Sequence, residues 1–188
     1  GCKACVSGCP IKVDIPTMKS QFLANYHSKY KRPAIDYFVK YSEAMLSVSL
    51  HSGGIFNDIL NTQFVRSGVA NIVGFVDTPI INSLNLRSEL KKRNAPEFSI
   101  KALESLSAEQ RAKTVCIVQD LFTSLYDTQV ALSLYDFLVG IGYRVYFSPF
   151  KINGKPAFVK GFLKYFDKQA KKATKFYNQI ADTGVELV

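Results

Sequence analysis

The sequence predicts an α + α/β protein: a helical N-terminal part and connector, then a Rossmann-like α/β module on a short parallel sheet. Three observations predict it. Apolar residues recur at helical spacing through the first fifty residues. From Thr114 the pattern changes to TVCIVQD, a short β-branched apolar run of the kind buried in parallel sheets. Two further runs of this type, YRVYFSP and VELV, each follow a helical stretch.

Taken in order, VDIPTMKSQFLANYH reads as a helix with Asp14 as N-cap and Pro16 in its first turn. Met18, Phe22, Tyr26 and Tyr30 follow at i+4 steps and make one apolar stripe. KRP at 31–33 breaks the period, and Pro33 starts a second helix that carries Ile35, Phe38, Val39, Ser42, Met45 and Leu46. HSGG at 51–54 ends it, and a third, shorter helix is expected through Phe56, Ile59, Leu60 and Phe64. Residues 68–98, with Gly68, Gly74, Pro79 and Pro96, read as loops with one helical turn. SIKALESL and SAEQRAK are helical, and Ser107 and Gln110 have capping-box spacing.

After TVCIVQD, Asp127 is placed to cap a helix whose apolar face is Val130, Leu134, Phe137, Leu138 and Ile141. Gly140 and Gly142 end that helix before YRVYFSP. Strand, helix and strand within about 35 residues make a βαβ unit. A long helix is then expected from Phe158 to Ile180, with Phe162, Tyr165, Phe166 and Phe176 inward and Lys160, Lys164, Lys168, Lys171 and Lys175 outward.

Composition narrows the class. The 188 residues are 47% hydrophobic and 21% charged, which suits a globular chain with a sizeable core. No apolar run reaches the roughly 18 residues a membrane span needs. Nor is there a basic-then-apolar leader. The expected location is cytoplasmic, with peripheral contact at the inner face of the membrane as an additional expectation. The net charge is +9, and residues 151–175 hold eight lysines against Asp167 alone. Such a stretch suits an acidic partner or an anionic membrane surface. Nucleic acid is disfavoured, because the aromatics that would stack on bases fall on the opposite helix face.

Four cysteines, three of them crowded at the start, argue against a disulfide framework and for a metal-type use of thiolates. The run GCKACVSGCP has the spacing C-x2-C-x3-C-P through Cys2, Cys5, Cys9 and Pro10. It matches the last three cysteines and the proline of the bacterial iron–sulfur run C-x2-C-x2-C-x3-C-P, whose short spacings let one loop wrap a cluster. The first cysteine of that run would fall two residues before Gly1. The expectation is therefore a piece of a longer polypeptide. Competing readings are a zinc site with His27 as fourth ligand, a CxxC redox pair, and a structural cysteine group.

Other candidates are weaker. Cys116 inside an apolar strand reads as a small core residue. His27 and His51 have no acid or nucleophile at a telling spacing, and read as structural. The loop SPFKINGKP at 148–156 has glycine and lysines but none of the phosphate-loop patterns. No catalytic pair, triad or nucleophile elbow is present, so no residue is assigned a catalytic role.

CKACVSGCPIKVDIPTMKSQFLANYHSKYKRP, with KTVCIVQDLFTSLYDTQV and NGKPAFVKGFLKYF, resembles the C-terminal part of large bacterial FAD-linked oxidases. These are D-2-hydroxy-acid (D-lactate or D-2-hydroxyglutarate) dehydrogenases with ferredoxin-like and heterodisulfide-reductase-like modules. The resemblance implies an upstream FAD domain that oxidises the hydroxy acid. It also implies two [4Fe–4S] clusters that pass electrons to an acceptor: a quinone, a cytochrome or another protein. Residues 1–32 then correspond to the second half of a ferredoxin-like module, 33–110 to a helical connector, and 111–188 to a truncated Rossmann-like module. Cys2 and Cys5 match the second and third cysteines of the second motif. Cys9 matches the fourth, which serves the other cluster. These three are the expected cofactor and metal ligands, and neither cluster is expected to be complete within this chain. The chain departs from the family where a Cys-Cys-Gly motif follows the second strand. SPFKINGKP stands there, so a cluster within 111–188 is not expected.

Overall fold

A computed structural model describes residues 13–52 and 81–188, together with residues 6, 8, 10, 58, 62–65, 67 and 68. Cys2, Cys5 and Cys9 lie outside the described residues, as does most of the helix expected through Phe56, Ile59 and Leu60. The chain divides into two compact units, Gly1–Ala44 with Ile152–Lys172, and Met45–Lys151 with Ala173–Val188.

Helix α1 spans Ile15–Lys29 and α2 spans Ala34–Ser52. Asp14 caps α1 as the sequence predicts: its carboxylate accepts from the Thr17 amide at 3.0 Å and the Thr17 hydroxyl at 2.8 Å. Three short helices follow: α3 (Leu86–Lys92), α4 (Ile100–Glu104) and α5 (Ala108–Ala112). The expected capping box forms on α5, with Ser107 and Gln110 exchanging side chain-to-backbone bonds at 3.2 and 3.0 Å.

Strands β1 (Thr114–Ile117), β2 (Arg144–Phe147) and β3 (Glu186–Leu187) form one parallel sheet in the order β2-β1-β3. In register, Thr114 faces Arg144, Cys116 faces Tyr146, and Cys116 also faces Leu187. A π-helical turn at Phe122–Tyr126 leads into α6 (Thr128–Gly140), which joins β1 to β2. The strands alternate between two apolar layers. Cys116 and Tyr146 pack with Leu103, Leu106, Ile180 and Val185, while Val115, Ile117 and Val145 pack with Tyr135. Covering on both faces explains the unbroken apolar run of β1, all four residues of which are buried.

Helix α6 turns only Leu138 of the face the sequence favoured against the core. Its buried residues are Thr128, Ala131, Leu132 and Tyr135, whereas Val130, Phe137 and Ile141 are exposed. The layer beneath α6 takes the smaller, mixed face. Asp127 holds the N-cap position but makes no side-chain cap bond.

The helix expected from Phe158 to Ile180 is interrupted. Helix α7 covers Lys155–Val159, the chain turns at Gly161, and α8 runs Leu163–Ala181. Gly161 has φ of +74°, and a Cβ there would stand 2.7 Å from the Ala24 amide nitrogen and 2.8 Å from the Ser20 carbonyl. Backbone contact with α1 thus demands glycine at this corner. Ser20 is fully buried at the same crossing, its hydroxyl donating to the Phe158 carbonyl.

Candidate functional site

The three cysteines that carry the sequence prediction, Cys2, Cys5 and Cys9, lie outside the described residues. The structure does describe the helix that follows them and the polar clamp that holds it. That clamp is built on α2. Asp36 and Glu43 stand seven residues apart, two helical turns, and both are buried on one face.

Asp36 gathers three basic side chains. Its Oδ2 lies 3.3 Å from Arg32 Nη1 and 3.7 Å from His27 Nε2, and its Oδ1 lies 2.9 Å from Lys160 Nζ. Arg32 also donates through Nη1 to the Lys160 carbonyl, and its guanidinium lies 3.9 Å from the centre of the Phe162 ring. One carboxylate therefore ties α1, the turn before α2 and the Gly161 corner together. The Asp36, Arg32 and His27 side chains are all less than a tenth exposed. At that depth an ion pair costs desolvation that only good geometry and extra hydrogen bonds offset. His27 Nδ1 is buried with no hydrogen-bond partner among the described residues.

Glu43 has a different task. Its carboxylate accepts from the Gly154 amide at 2.8 Å, and also from the Asn153 backbone. Burial pushes the Glu43 carboxyl above its ordinary value, against the lowering effect of those two bonds and of Lys155. The SPFKINGKP loop, which matches no phosphate-loop pattern, thus holds a carboxyl group supplied by the chain itself.

The other sequence candidates fall as follows. Cys116 is completely buried, and burial pushes its thiol up to about 12, so it is an inert core residue as expected. The His51 side chain lies outside the described residues. Lys164, Lys168, Lys171, Lys172 and Lys175 are exposed on α8. Lys160, expected on that outer face, turns instead to Asp36. Among the described residues no group of three or more His, Cys, Asp or Glu side chains could hold a metal ion. None of the described helices is long and apolar enough to cross a membrane.

Sequence reading missed Asp36 and Glu43. Two signals were present: the Arg32–Asp36 spacing of four residues, and an acid recurring after seven residues beside an apolar stripe.

The chain is similar along its whole length to several D-2-hydroxyglutarate dehydrogenases. It is 38% identical over 187 residues to that of Escherichia coli (strain K12), covering all of this chain and 18% of the relative. It is 35% identical over 187 residues to that of Pseudomonas putida, covering 19% of it, and 35% identical to that of Haemophilus influenzae, covering 18%. The chain thus spans less than a fifth of the length of the curated relatives it matches. No family model and no solved structure matches it. The resemblance drawn from its motifs is borne out as homology to one segment of these dehydrogenases.

Proposed function

We propose, from this end-to-end homology, that the chain is the electron-transferring segment of an FAD-dependent D-2-hydroxyglutarate dehydrogenase. The observation that carries the reading is 35–38% identity over all of the chain. The C-x2-C-x3-C-P run at Cys2, Cys5 and Cys9 supports it. When bound, FAD elsewhere in the polypeptide supplies a two-electron acceptor, and [4Fe–4S] clusters supply one-electron carriers toward a quinone, cytochrome or protein acceptor. The part assigned to Cys2, Cys5 and Cys9 is to provide thiolate ligands.

The described residues add support of their own. Helix α1 begins five residues after Pro10, at Ile15, and is held by Ser20, His27 and Gly161. A helix anchored in this way suits a cysteine loop that must keep fixed geometry. In this reading residues 1–32 carry the cluster ligands, 33–110 connect, and 111–188 form a Rossmann-like module with a structural or docking role. That is a partition of function; the compact units divide the chain elsewhere.

The test uses the full-length polypeptide, purified without oxygen. Iron and acid-labile sulfide in equal amounts, with iron lost in Cys2→Ser, Cys5→Ser and Cys9→Ser variants, is the expected result. D-2-hydroxyglutarate should bleach the flavin absorbance. Stoichiometric zinc without sulfide would overturn the reading in favour of a zinc-stabilised interaction module.

A further inference from the structure

The stripe read from the sequence of α1 faces solvent. Ile15, Met18 and Tyr30 are each 59% exposed and Phe22 is 64% exposed. The Phe22, Tyr26 and Tyr30 rings stack along the helix, with centroids 6.0 and 4.6 Å apart. The inner face carries Ser20, Leu23, Ala24 and His27, and Gly161 brings a second backbone against it. The aromatic residues of α1 lie on the opposite, outer side. A contiguous exposed aromatic row of this kind marks an interaction surface.

Two observations identify what covers it. The relatives are more than five times the length of this chain, so most of a homologous polypeptide lies outside these 188 residues. The exposed charged side chains of α1 and of the turn after it are all basic, Lys19, Lys29 and Lys31, while Asp14 caps the first turn. Arg32 is committed to Asp36, which leaves exposed Lys19, Lys29 and Lys31 around the apolar row.

We infer that the Ile15–Met18–Phe22–Tyr26–Tyr30 face of α1 is the docking surface for the rest of the same polypeptide. The matching surface has an apolar centre and carboxylates at its rim, opposite the lysines. The inference rests on the reading that this chain is one segment of a longer dehydrogenase, and it deepens that reading by naming the face through which the segment is held.

The experiment places the photo-crosslinking residue p-benzoylphenylalanine at Phe22 in the full-length polypeptide. Phe22 is exposed in this chain, so the replacement leaves the local fold intact. Irradiation should give a product at monomer mass, and mass spectrometry should identify a crosslinked peptide from outside the 188 residues. A product at twice the mass, which signifies a second copy, overturns the inference. So does a crosslink confined to these residues, a lipid adduct in the presence of anionic vesicles, or no crosslink at all. In the same preparation, iron and sulfide content reports on the electron-transfer reading separately. A crosslink without sulfide leaves the docking face standing and removes the cluster assignment; sulfide without the crosslink does the reverse.

Discussion

Glu43 shows how a single carboxylate can tune this chain. Burial raises its folded-state value, while the Gly154 and Asn153 amides only partly offset the cost. A raised carboxyl favours the protonated form in the fold. Its contribution to stability is therefore complete below the ordinary value of 4.5 and is lost as pH rises through the folded value. Glu43→Gln keeps an acceptor for the Gly154 amide without a buried charge. Relative to the variant, the native chain should lose stability as pH rises above the ordinary value of 4.5, as read from urea unfolding midpoints. A difference that stays flat, or that grows in favour of the native chain, would remove this account. Asp36 sits in a different setting, between Arg32 and Lys160. Deleting it would strand Arg32 and Lys160 near the protein interior, the costly way to break a buried pair.

Among the elements, the contact between α1 and the α7–α8 corner depends on what is absent. Gly161 has no Cβ, Ser20 and Ala24 are small, and the two backbones meet through those gaps. Gly161→Ala must place a methyl at 2.7 Å from a backbone nitrogen in a left-handed conformation. The conformational strain alone costs about 1–3 kcal/mol, and the clash adds to it. Thermal unfolding should register a clear loss of stability, and an unchanged midpoint would mean that α1 does not pack as described. Helix α6 teaches the same lesson on the sheet. Val130 and Phe137 are exposed, while the layer beneath accepts Ala131, Leu132 and Tyr135, with Leu138 packed at its edge. Hydrophobic period identified both helices, but it did not identify their buried side.

For the molecule as a whole, the net charge of +9 is concentrated where it can act on a partner. Lys164, Lys168 and Lys171 are exposed on α8, and Lys171 pairs with Asp167 at 2.8 Å on an open surface. Exposed pairs of that kind contribute little to stability. Their use is better sought in association, where a basic face speeds encounter with an acidic partner. Under the proposed electron-transfer reading, changing all three to Glu in the full-length polypeptide should slow reduction of the acceptor and reverse the salt dependence of the rate, measured by stopped-flow. An unchanged rate at low salt would remove a docking role for this face. The sequence by itself determined the α + α/β class, the three strands, the caps at Asp14 and Ser107 and the buried Cys116. All of these are local: period and capping chemistry act over a few residues. Only the tertiary structure decided that the aromatic row of α1 faces outward, that Gly161 breaks the long helix, and that Asp36 and Glu43 take Arg32, Lys160 and Gly154. Those outcomes depend on which surface meets each helix across more than a hundred residues of sequence, and no local pattern encodes that meeting.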